Sequence, residues 1–166
     1  QMARFKNEQD GLQGTLYRAI APARNGGFWL GGFNGMVEHL RPDGEIQTLA
    51  DDDLAQLRGT KLFAIAEDAL GNLWFGHRLG LIQLSASGEL KQWKKSDAEN
   101  PAPAGQVDHV QVADDGTLWL SAPGGGVQQR DQHSGAVLRN FPAGEESGLD
   151  AADIEALVLS PKGEVF

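Results

Sequence analysis

Cysteine is absent from this 166-residue chain, basic residues are few, and no long apolar run occurs. Without Cys there is no disulfide framework, no thiolate metal site and no Cys nucleophile, and a Cys-free chain suits an oxidising compartment as well as a reducing one. The longest uninterrupted apolar run, residues 62–66, has five members. That is too short to cross a bilayer or to form the apolar core of a signal peptide, which excludes membrane insertion within this segment. Lys plus Arg number 14 against 23 Asp plus Glu, a net charge of -9. Counterion release from nucleic acid needs the opposite sign, so DNA or RNA is excluded as the main partner.

Glycine is plentiful, at 22 residues, about twice its usual share, and its placement is periodic. Trp29, Trp74 and Trp119 lie 45 residues apart, each preceded three residues earlier by Gly26, Gly71 or Gly116. A fourth copy begins at Gly163 and stops at Phe166, which takes the Trp position. Nine residues before each aromatic stands a branched apolar residue: Ile20, Ile65, Val110 and Leu157. After it come a Gly followed by an apolar residue (Gly35 and Met36, Gly80 and Leu81, Gly126 and Val127), a second turn Gly (Gly44, Gly88, Gly135) and a bulky position (Leu49, Trp93, Phe141). Each unit reads as four short apolar or alternating runs between Gly turns, the pattern of strands. In the second unit these are residues 62–66, 72–76, 81–85 and 90–93. Four strands in about 45 residues match one blade of a β-propeller, so the expected fold is all-β, a propeller fragment of four-stranded antiparallel blades. The Trp residues are expected to pack between sheets.

The same alignment sets the expected organisation. Residues 1–15 read as the outer strand and link of a preceding blade, with Phe5 on that strand; 16–60, 61–106 and 107–152 are blades 1 to 3, and 153–166 the first strands of a truncated blade. About 3.7 repeats fall short of the roughly four to eight blades of a closed ring. Three closures follow: the remaining blades of a longer protein, a second copy of the chain, or a strained four-bladed ring. A WD-type repeat is disfavoured because no Trp is followed by Asp, and a kelch-type repeat because the Gly pairs do not recur at one place.

Residues 68–84, DALGNLWFGHRLGLIQL, and 114–130, DDGTLWLSAPGGGVQQR, resemble two-component regulator propeller repeats: an Asp and Gly turn, Leu-Trp, a small residue, then Gly-apolar. The first unit departs with Asn25 and Gly26 at its turn, and the third with Ser121 and Ala122 after its Trp. That resemblance implies the extracytoplasmic, periplasmic sensor region of a bacterial membrane protein, ahead of a histidine kinase or a diguanylate cyclase. It implies a non-catalytic ligand-sensing or interaction module.

Function in such a fold is expected on the face that carries the links between blades and the loops between second and third strands. The link segments 6–15, 50–60, 94–106 and 142–153 hold 11 acidic and 4 basic residues, a net of -7. A solvated acidic surface is the plain reading of that charge. A functional one would favour a cationic ligand or a divalent metal, although Asp51, Asp52 and Asp53 lack the alternating spacing of a calcium loop. His77, read at the loop between the second and third strands with Arg78 beside it, replaces a small residue of the sibling units, Gly32 in the first and Ala122 in the third; the plain alternative is a surface His beside a solvated Arg. His77, Arg78, Asn34 and Lys61 are the candidate residues for an unknown small-molecule or glycan ligand. His39 and His109 read as strand residues and His133 as a turn residue. No catalytic arrangement, metal set or cofactor emerges: Ser121 lies in no nucleophile elbow, and residues 124–126 precede a strand rather than the helix a phosphate cradle needs. A streptogramin-lyase-like enzyme, which would rest on His77, and a pure protein-binding scaffold with an acidic face remain as alternatives.

Overall fold

The computed structural model describes residues 11–13, 16–49, 54, 57–144, 154 and 156–160. Among the described residues twelve strands form: β1 (Tyr17–Pro22), β2 (Phe28–Gly32), β3 (Val37–Leu40), β4 (Ile46–Thr48), β5 (Leu62–Glu67), β6 (Leu73–His77), β7 (Gly80–Leu84), β8 (Leu90–Lys94), β9 (His109–Val112), β10 (Thr117–Ala122), β11 (Gly126–Asp131) and β12 (Val137–Phe141). They make three antiparallel four-stranded sheets, each a meander in chain order. The strands of the second unit fall within a residue or so of the runs read from sequence. Phe5, Asp51, Asp52, Asp53 and the Gly163 to Phe166 copy lie outside the described residues.

The turns explain the Gly period. The nine repeat glycines among the described residues adopt positive φ, between 74° at Gly135 and 138° at Gly80, a region that side chains with a Cβ rarely enter. Packing adds a second demand at Gly135, where a Cβ would lie 2.0 Å from the Trp93 ring.

Successive sheets stack face to face, with β1 beside β5 and β5 beside β9 on the axis side. Side-chain alternation assigns each residue to one interface. Leu73, Phe75 and Ile82 of the second sheet meet Ala19, Ala21 and Val37 of the first, and Leu54 and Leu57 of the intervening link fill the same core. Trp74, Leu81 and Trp93 face the other way, onto Val110, Leu118 and Leu120 of the third sheet and Val107 just ahead of it. Burial of each such side chain contributes about 1.5–3 kcal/mol. Trp74 therefore sits between sheets and Trp29 packs against the core of the first interface. Each repeated Trp also stacks on the residue that ends its own unit or on a strand neighbour: Trp74 on Trp93 at 5.5 Å, Trp119 on Phe141 at 6.2 Å and Trp29 on His39 at 4.5 Å.

The buried polar residues hold turns and links. Asp68 accepts from Leu70 N, Asn72 N, Asn72 Nδ2 and Trp74 Nε1, each at 2.8–2.9 Å. One register of the third strand grips the link that precedes each sheet. Glu38 accepts from Gln13 N at 2.9 Å and from the Tyr17 hydroxyl. Ile82 packs in the core shared with Leu54 and Leu57. Gln128 donates from Nε2 to Pro101 O at 3.3 Å, and Arg130, two residues on, also donates to Pro101 O. Fully buried Arg130 further donates to Gly135 O at 2.8 Å and to Gln128 Oε1. Burial lowers its pKa to about 10, with Asp97 opposing the shift.

Candidate functional site

Each inner strand begins at the end of the sheets that carries the links and the loops between second and third strands. Backbone bonds draw this end together: Phe33 N donates to Leu16 O at 3.2 Å, Gly59 N to Asn34 O at 3.1 Å, Val107 N to His77 O at 3.1 Å and Asp108 N to Ser121 O at 3.0 Å. Two positions of the repeat carry a different side chain in each copy here. Two residues before the branched apolar position stand Arg18, Phe63 and Asp108; directly after the second strand stand Phe33, Arg78 and Pro123. The Arg18 guanidinium lies 4.8 Å above the Phe63 ring, and the Lys61 ammonium 4.9 Å above the Phe33 ring. Both cations are exposed and both rings half-buried. Such contacts are worth about 0.5–1 kcal/mol at exposed sites, enough to bias two long side chains toward a fixed position.

Asn34, Lys61 and Arg78 are exposed at this end. Asn34 also borders a cavity of about 160 Å³ together with Thr48, Leu54 and Arg58. His77 differs from its sequence reading. It is the last residue of β6 rather than a loop residue, and it is 1% exposed rather than on the surface. Alternation along β6 turns it to the face of Phe75, where Leu79 N donates to Nδ1 at 3.4 Å and Gln92 Nε2 lies 3.4 Å from Nε2. Desolvation lowers its pKa, so the imidazole is neutral at pH 7. The structure thus brings Lys61 and Asn34 together around Phe33 and places His77 beneath the surface beside Arg78. A lyase-like site resting on an accessible His77 does not fit that burial.

Arg18, Phe33, Phe63 and Asp108 escaped the sequence reading. The signal was present: they occupy the variable columns of an otherwise regular repeat. Of the 11 acidic link residues, Asp97 and Glu99 lie among the described residues, and Asp97 Oδ2 accepts from Lys94 N at 2.7 Å. No group of three His, Asp or Glu among the described residues is placed to hold a metal ion. Near the opposite end of the inner strands, Ile20, Ile65, Val110 and Glu67 help to line a groove of about 170 Å³. Its carboxylate is engaged: Glu67 Oε2 accepts from Trp29 Nε1 at 2.7 Å and Arg24 N at 2.9 Å, which clasps the first sheet to the second.

No protein-family model and no curated protein sequence matches the chain. Solved structures do match it in fold. The extracellular domain of the hybrid two-component system BT3049 from B. thetaiotaomicron superposes over 99% of this chain at a TM-score of 0.72 and 16% identity. The three sheets are blades of a β-propeller. PorZ, a surface component of the type-IX secretion system of Porphyromonas gingivalis, shares the blades over 92% of the chain at a TM-score of 0.68 and 17% identity. A gluconolactonase-family protein shares them over 92% at a TM-score of 0.61 and 20% identity. This chain spans 22%, 24% and 55% of those three structures respectively.

Proposed function

We propose that this chain is part of an extracytoplasmic, periplasmic ligand-sensing propeller of a bacterial signalling receptor, and that its link-side end contacts the ligand. The attached output domain would be a kinase or a diguanylate cyclase. The repeat motifs and the blades shared with extracellular domains of two-component systems support the sensing role. The observation that carries the site is the pair of cation-on-ring contacts, Arg18 on Phe63 and Lys61 on Phe33. Rings that position cations in advance reduce the ordering entropy of binding, and the guanidinium edge still offers its fork of donors to a carboxylate. Arg78 and Asn34 extend the surface, and buried His77 supports the strand end that carries Arg78. The ligand is therefore a small molecule or glycan bearing an anionic group, the opposite sign from that suggested by the link charge alone.

Calorimetric titration with uronic-acid oligosaccharides, their neutral counterparts and simple carboxylates tests this reading. Binding is expected for the carboxylate-bearing saccharides, weakened at least about tenfold in an R18A/K61A double variant, as loss of charge-assisted bonds requires. Equal binding of neutral and anionic saccharides, or wild-type affinity in the double variant, would overturn it.

A further inference from the structure

Arg18 and Phe63 are the extra residues of two matching β-bulges. The ladder between β1 and β2 skips from Tyr17 to Ala19, and that between β5 and β6 from Leu62 to Ala64. The third sheet has no such skip, with Ser121 opposite His109 and Leu120 opposite Val110. A bulge takes its residue out of the strand's alternation and re-aims the side chain, which is why bulges recur beside binding sites. Here the two re-aimed side chains meet, and the guanidinium of blade 1 lies over the ring of blade 2, 4.8 Å above it.

That displacement carries the cation toward Asp108. Phe63 follows Leu62, which pairs with His77; His77 O accepts from Val107 N at 3.1 Å, and Asp108 follows Val107. Phe63 and Asp108 thus flank one strand end, on inner strands that approach within 8 Å between Cα atoms. Asp108 is half-buried, and its Oδ1 accepts from Gln106 Nε2 at 2.7 Å. Among the described residues its Oδ2 has no hydrogen-bond donor and no cation lies within 4 Å of the carboxylate. A carboxylate in that position bears part of its desolvation cost without a countercharge, which a ligand cation would supply.

We infer that the link-side end takes a small zwitterion, its carboxylate on Arg18 and Lys61 and its ammonium on Asp108, with the two charges about 7 Å apart, the extended span of two residues. The inference rests on the sensing reading and narrows its ligand class. It also reconciles the two signs of charge at this end. The net of -7 in the link segments draws cations to the face, whereas Arg18, Lys61 and Arg78 draw anions. A mono-anion or a mono-cation is opposed by one of these fields, and a zwitterion is opposed by neither. The free termini of a dipeptide and the two ends of an ω-amino acid carry the same chemistry.

Calorimetric titration of the whole chain with 6-aminohexanoate and diglycine, set against hexanoate, hexylamine and N-acetyl-diglycine, tests the pairing. A zwitterion is expected to bind at least about tenfold tighter than its single-charge counterparts. Preference for 6-aminohexanoate alone marks an ω-amino acid as the source, preference for diglycine alone marks peptide termini, and preference for both marks the shared chemistry. In Asp108→Asn, which keeps an acceptor for Gln106, the ratio of zwitterion to mono-anion affinity should fall to about one, and Asp108→Glu should retain a preference. Equal binding of zwitterion and mono-anion by the wild type, or an unchanged ratio in Asp108→Asn shown folded by circular dichroism, would overturn the inference and leave the anion-binding reading standing. Hexanoate binding untouched in the R18A/K61A variant would overturn that reading instead. Binding of none of these probes overturns the inference, and uronic-acid saccharides that still bind would then keep the reading.

Discussion

Replacing Asp68 with alanine strips four hydrogen bonds from one buried carboxylate. Two of them, from Leu70 N and Asn72 N, close the turn between β5 and β6; the other two restrain Asn72 Nδ2 and Trp74 Nε1. The indole N–H of Trp74 belongs to a fully buried ring between blades 2 and 3. Leaving one buried donor unsatisfied costs about 1–3 kcal/mol, and losing a turn cap of this kind roughly another 1 kcal/mol. A total near 3 kcal/mol corresponds to a fall of about 6–12 °C in melting temperature for a chain of this length. Thermal unfolding followed by circular dichroism reads the change. Ala23 and Ala113 stand at the corresponding positions of blades 1 and 3, so the effect arises in blade 2 alone. An Ala23→Gly control, which removes no carboxylate, is expected to cost less than about 1 kcal/mol. A fall of less than 2 °C for Asp68→Ala, within about 1 kcal/mol, would refute the claim that this carboxylate anchors the blade.

Gly135→Ala is expected to lose about 2 kcal/mol or more, because the new Cβ would meet Trp93 at 2.0 Å in a backbone at φ 74°; urea unfolding measures it, and wild-type stability would contradict the packing. Arg130→Leu restores the residue type that blade 2 carries at Leu84 but takes the Arg130 donor from Gly135 O and leaves Pro101 O with the 3.3 Å bond from Gln128 Nε2. A loss of about 2–4 kcal/mol is expected, with hydrogen exchange rising first in the link at 95–106. His77 has a depressed pKa in the folded state, so its unfolded form binds protons first as pH falls. The contribution of neutral His77 is present above its ordinary value of 6.5 and is lost as pH drops through that value toward the folded pKa. Melting temperature from pH 7.5 to 5 should therefore fall more steeply in the wild type than in His77→Gln, and parallel profiles would contradict the burial.

The architecture was legible because a propeller blade is a local object. Trp29, Trp74 and Trp119 with their preceding glycines mark each hairpin, and positive φ at Gly26, Gly71 and Gly116 accounts for their spacing. His77 was misread for the opposite reason. Its neighbours in sequence, Gly76 and Arg78, suggest a loop, but β6 runs through it, paired with Leu62 on one side and Gly80 on the other, and the assembled sheets bury its side chain. Arg18 and Phe63 were invisible as a pair, since 45 residues separate them and only the stacking of β1 beside β5 brings guanidinium to ring.

Cysteine-free composition, the 45-residue period and the glycine turns are properties of the chain read in order, and they alone determined the class of fold and its blade unit. Which way each side of a blade faces was decided by tertiary structure. Ile20 and Ile65 are the same residue in the same register, yet one is open and the other buried. The physical reason is that burial belongs to a pair of blades, and no repeat encodes its neighbour.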